Sequence, residues 1–155
     1  MTRLLRSPSV RVLAFFVIAA CTTVEAPPAP KPVEATPRYA VEFETPTAAA
    51  GKPSVAKVRV EPRGEFHMNL DYPVTLDVKA PTGVDMSASH QRSADAERFD
   101  DEGLVFAVPF TPKSRGDKHF AGTVEFAVCG ELSCAPEKVP VDFTVEVGCD
   151  TDAFC

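Results

Sequence analysis

Two apolar-alternating runs that meet at a short loop, GTVEFAVCGELSCAPEKVPVDFTVEV at 122–147, constrain this fold more than any other stretch of the chain. Side chains alternate across a strand. Val124, Phe126 and Val128 therefore share one face, and Glu125, Ala127 and Cys129 the other. On the return run the apolar set is Val139, Val141, Phe143, Val145 and Val147, so Cys134 falls in the outward parity with Lys138, Asp142, Thr144 and Glu146. Setting Cys129 opposite Cys134 also sets Val124 against Val139 on the buried face and Glu125 against Lys138 on the outer one, three agreements on one register. Pro136 and Pro140 lack an N–H, so their nitrogens turn away from the partner strand. Cys129 and Cys134 then form a non-hydrogen-bonded pair, with Cα atoms near 4.5 Å in the general case, roughly the reach of a disulfide. The expectation is an exposed cross-strand disulfide, on the outer face of a strand whose far side is a sheet edge.

Elsewhere the period-two signal recurs. Strands are expected at Tyr39–Glu44, Ser54–Glu61, Val74–Ala80, Val84–Ser87, Leu104–Thr111, Phe120–Cys129 and Lys138–Val147, separated by turn-rich stretches such as TPTAAAGKP, EPRG and PKSRGDK. No convincing amphipathic helix appears, and about seven strands at this spacing suit an all-β antiparallel sandwich over 39–155. The polar segment His90–Glu102 reads as a solvated loop.

Ahead of that domain lie two appendages. Residues 1–20 carry Arg3, Arg6 and Arg11 before the apolar run VLAFFVIAA, the pattern of an export signal too short to span a bilayer comfortably. The run ends IAAC, which resembles the lipobox of bacterial lipoproteins and implies a mature chain that begins at an acylated Cys21. Thr22 follows, which under the enterobacterial sorting pattern points to the outer membrane, with the protein facing the periplasm. Residues 21–38 are the lipid-bearing Cys21 and a proline-rich tether, TTVEAPPAPKPVEATPR at 22–38, extended at roughly 3.1 Å per residue. Loss of residues 1–20 removes three Arg and no acid, moving the formal charge from −6 to −9. An acidic body argues against nucleic acid as a partner and leaves the lipid anchor as the membrane contact.

The middle motif GEFHMNLDYP followed by FAGTVEFAVCGELSCAP, on an export-type chain with sandwich spacing, resembles the N-terminal periplasmic domain of DsbD-type thiol:disulfide interchange proteins. The resemblance spans about Val41 to Val147 and is most specific at the paired-cysteine hairpin. It implies an immunoglobulin-like fold, Cys129 and Cys134 as a redox pair serving a periplasmic thiol-disulfide partner, and Phe66 as a residue capping that pair. Residues 1–155 show no pattern of the membrane or thioredoxin-like domains that feed electrons to such a module, so the expectation is that another protein supplies the reductant.

The chain has five cysteines. With one for lipid, four remain for two bonds in an oxidising compartment. Cys149 and Cys155 bracket DTDAF and read as a second, structural disulfide, although four cysteines permit three connectivities. Asp150 and Asp152 fall short of a calcium site. His67, Met68, His90 and His119 lack the Cys-His-Met arrangement of a copper site, so neither metal nor cofactor is expected. The alternative to exchange is a non-catalytic binding or scaffolding envelope lipoprotein in which both disulfides are staples.

Overall fold

The computed structural model describes residues 37–149; the export-signal region, Cys21, most of the tether and Cys155 lie outside the described residues. The chain runs β1 (Tyr39–Glu44), β2 (Ala48–Ala49), β3 (Ser54–Pro62), β4 (His67–Met68), β5 (Thr75–Lys79) and β6 (Val84–Met86). It continues through β7 (His90–Arg92), a 3-10 turn at Ser93–Asp95, β8 (Arg98–Asp100), β9 (Gly103–Pro112), β10 (Lys118–Cys129), β11 (Cys134–Val145) and β12 (Val147–Gly148). Among the described residues there is no α-helix, and no helix long and apolar enough to cross a membrane.

One sheet has the order β1-β3-β9-β6 with β8 also on β9; the other has the order β11-β10-β5-β7 with β4 also on β10. All pairings in both are antiparallel. In the lettering of immunoglobulin domains β1, β3 and β9 of the first sheet correspond to A, B and E, and β11, β10 and β5 of the second to G, F and C. This is an immunoglobulin-like β-sandwich. The segment between β5 and β9 weaves between the sheets, giving β6 and β8 to the first and β7 to the second. A short parallel pair, β2 with β12, ties the last strand back to the start of the domain.

The core fills the space between the sheets as period-two alternation requires. Ala56, Val58 and Val60 of β3, Leu104, Phe106, Val108 and Phe110 of β9, and Val124, Phe126 and Val128 of β10 are buried in one cluster. Aromatic rings bridge the layers where Phe120 meets Phe110 edge-on at 5.1 Å and Tyr39 meets Phe126 edge-on at 4.9 Å, while within the second sheet Phe120 stacks on its cross-strand partner Phe143 at 4.9 Å. Tyr39 also donates from its hydroxyl to Glu137, at 3.3 Å. Burial first, then the negative charge of Glu137, push that phenol above its ordinary range.

The principal strands fall close to their expected bounds. The expected strand Lys138–Val147 differs: it begins at Cys134, ends at Val145, and Val147 pairs instead with β2. The segment His90–Glu102 is not a solvated loop. It holds β7, the turn and β8, and Gln91 is buried because its side-chain amide donates to the Ala107 carbonyl at 2.7 Å. A polar side chain whose hydrogen bond is satisfied by backbone is buried without penalty, and composition does not reveal it.

Candidate functional site

Pairing between β10 and β11 runs without a break from Lys118↔Val145 to Cys129↔Cys134, and includes Val124↔Val139 and Glu125↔Lys138. The Gly130 N–H donates to the Ser133 carbonyl at 3.0 Å, which makes that the hydrogen-bonded pair inside the loop. Hydrogen-bonded and non-hydrogen-bonded pairs alternate, so Cys129 and Cys134 are a non-hydrogen-bonded pair. Their Cα atoms are 3.9 Å apart and the two sulfurs are joined. Pro136 and Pro140 sit opposite Ala127 and Thr123 in the same parity, with their nitrogens toward the open edge of β11. That edge is thereby short of donors for another strand.

The disulfide lies in an unusual place for this fold. In antibody domains the bond crosses the core between strands B and F; here it joins F to G within one sheet, and Cys129 is absent from the core cluster. The outer-face position does not make both cysteines open. Cys134 is exposed, whereas Cys129 is only 7% exposed. β4 explains this: His67 pairs with Cys129 and Met68 with Val128 on the side of β10 away from β11, so Cys129 is flanked on both sides. The expectation of an exposed bond is corrected to one with an open end at Cys134 and a covered end at Cys129.

Phe66 lies beside this pair. A Cβ on Gly130 would come within 3.0 Å of the Phe66 ring, so the absence of a side chain at 130 lets the ring close on the hairpin. Glu65, Phe66, Gly130, Glu131, Leu132 and Ser133 line an open depression of about 280 Å³. Leu132, at the hairpin tip, is 97% exposed. Sequence reasoning missed both the exposed tip and the β4 strand; the GEFHMN motif was its only signal.

On the outer face beside the disulfide, Glu125 and Lys138 form an ion pair. Lys138 Nζ donates to Glu125 Oε1 at 2.5 Å, and this bond, then the carboxylate charge, raises the Lys138 pKa above its ordinary value. Farther along, His90 Nδ1 bonds Asp77 at 2.7 Å and Arg92 Nε donates to His90 Nε2 at 3.3 Å. Arginine only donates, so Nε2 accepts and Nδ1–H donates to Asp77. Both nitrogens are occupied, so His90 is held as a structural link. His67, His90 and His119 stand on β4, β7 and β10, and among the described residues no group of three His, Cys, Asp or Glu side chains is placed to hold a metal. Cys149 is disulfide-bonded and accepts a contact from Arg115 Nη1 at 3.5 Å; its expected partner Cys155 lies outside the described residues.

The fold and site thus define an immunoglobulin-like sandwich with a surface disulfide in its F–G hairpin. No family model matches the chain, and no curated protein is detectably similar in sequence. Among solved structures it is similar to AggA, the major subunit of aggregative adherence fimbriae type I from Escherichia coli, with 10% identity and a TM-score of 0.35, over 74% of this chain and 98% of that one. It is also similar to the PapD-like domain 7 of human CEP192, with 14% identity and a TM-score of 0.35, over 83% and 98%. The fold assignment rests on the strand order given above and not on these two.

Proposed function

We propose that this protein is a lipid-anchored envelope protein whose domain exchanges disulfides with a periplasmic dithiol protein through Cys129 and Cys134, in the manner of the DsbD N-terminal module it resembles. The observation that carries this reading is the position of the disulfide: outside the core cluster, in an edge hairpin, with one sulfur-bearing residue open to a partner. Opening such a bond leaves the sandwich core untouched. A partner thiolate attacks the Cys134 sulfur and the bonding pair leaves on Cys129. The partner's second thiolate then attacks its own sulfur in the mixed disulfide and releases Cys134. Two electrons and two protons pass from partner to domain, and the reverse sequence passes them on. Phe66 shields the covered end until a partner docks. Cys21 carries the lipid that keeps the module at the membrane, and Cys149 with Cys155 pins the tail.

The deciding measurement is the reduction potential of the Cys129–Cys134 bond in the intact protein. A potential below about −300 mV is that of a structural bond and would sink the exchange reading. A more oxidising value, with Cys129→Ser trapping a mixed disulfide through Cys134, supports it. For the anchor, Cys21→Ser should move the protein from the membrane to the soluble envelope fraction.

A further inference from the structure

The outer face of the second sheet lines up three residues on adjacent strands: His67 on β4, Cys129 on β10 and Cys134 on β11. Met68 is buried in the core, so His67 has the opposite parity and faces the cysteine side. Directly opposed residues of an antiparallel pair hold their Cβ atoms about 4.5–5.5 Å apart on one face. An exposed imidazole therefore stands next to the covered sulfur, on the flank opposite Cys134.

We infer that His67 is a positioning residue for thiol exchange, whose protonated ring stabilises the thiolate that leaves on Cys129 when the Cys134 sulfur is attacked. This rests on the exchange reading above. The step balances: the new bond forms between the attacking sulfur and Cys134, the Cys129–Cys134 bond breaks, and its electron pair stays on Cys129. That thiolate then takes a proton from the His67 imidazolium or from water. A leaving thiolate beside a positive charge leaves faster.

Other charges around this point do not supply the same help. Lys138, the nearest lysine on β11, is engaged by Glu125. Arg63 and Glu65 belong to the loop that leads into β4, Glu131 to the hairpin loop, and Asp101 to the turn whose carbonyl accepts from the Met68 N–H. The three carboxylates disfavour a second negative charge, and Arg63 stands in the loop ahead of β4 rather than opposite Cys129, which leaves His67 as the basic side chain in register with Cys129.

The test is the rate of reduction of the full-length protein by dithiothreitol, expressed per mole of its thiolate, at about pH 5.5 and about pH 8.5, where histidine side chains in general change charge. The native constant should be about tenfold higher at the acid end, the factor expected for one charge at this separation near a solvated surface. His67→Gln should lie at the lower value at both pH values. His67→Lys keeps a charge throughout and should lie at the higher value at both. Ionic strength of about 1 M, with a screening length near 3 Å, should flatten the native profile. If His67→Gln keeps the native pH profile, or slows reduction equally at both pH values, the inference is overturned. Should His67→Gln fail to fold, a pH-dependent His67→Lys overturns it alone. A histidine-dependent profile in a protein that traps no mixed disulfide would retain this inference and remove the exchange reading.

Discussion

Along β10, alternate residues meet different surroundings. Val124, Phe126 and Val128 are sealed between the sheets, whereas Glu125 carries a salt bridge, the Ala127 carbonyl accepts from the Asn69 N–H just after β4, and Cys129 holds half of a disulfide. One strand thus supplies both the stability of the domain and its candidate chemistry, separated by the thickness of a pleat. The inner row is apolar, contiguous with residues from both sheets, and intolerant of lost volume. The outer row is held by local bonds that open singly. The separation permits a redox change on one face without repacking the other.

The largest expected effect tests the inner face. Phe120 is fully buried between Phe110 and Phe143. Phe120→Ala should cost about 3–5 kcal/mol, from lost transfer free energy and the cavity left behind. Urea unfolding measures this, and the rate at which dithiothreitol reduces the disulfide in the folded variant should stay near native. A Phe120→Ala protein that is still folded but reduced much faster would break the division between the faces.

Next in size is the disulfide itself. Cys129 and Cys134 are separated by 5 positions, so the bond restrains a very short stretch of unfolded chain. Chain entropy for so small a loop gives about 2 kcal/mol. The double variant Cys129→Ala with Cys134→Ala should therefore melt lower yet remain folded at room temperature, and should trap no partner. A loss comparable to that of Phe120→Ala would mean that the hairpin supports the core and is not a separable outer feature.

A smaller effect concerns the covering of Cys129. Phe66→Ala removes the ring that lies against Gly130. The variant should be reduced several times faster by a small thiol, with little change in its urea midpoint, because Phe66 is not part of the core cluster. Equal rates for native and variant proteins would assign the covering of Cys129 to β4 alone.

The difference between the faces also governs what was legible beforehand. The hairpin register could be read because alternation, charge pairing and the prolines each constrain the same offset, and the pairing Glu125↔Lys138 bears it out. Parity identifies a face but not its neighbours, so the burial of Cys129 was not legible: it depends on β4, a strand of 2 residues that shows no period of its own. The same holds for β7 and β8, where 3 residues each sit in a run as polar as HQRSADAERFD. Phe66 reaches the site across a distance in sequence that only the fold closes, and the one local hint is a glycine at 130, where a side chain would collide with its ring.

The smallest effect distinguishes the outer-face ion pair from the rest of that face by its pH window. Glu125 raises the Lys138 pKa through its hydrogen bond and then its charge. A cation whose folded pKa lies above its unfolded value, about 10.4 for lysine, contributes stability below that value and loses it as pH climbs through the folded one. The melting difference between native protein and Glu125→Gln should be small, because exposed pairs contribute little. It should be present at about pH 7, be lost as pH climbs through the raised Lys138 value, and shrink in 1 M salt. Arg98 and Asp100 on β8 provide the opposite window: the hydrogen bond from Arg98 lowers the Asp100 pKa, so that pair's contribution is lost in acid, as pH falls through the depressed value. A Glu125→Gln difference undiminished at the alkaline end would show that Glu125 acts by packing, and would make the outer face more like the inner one.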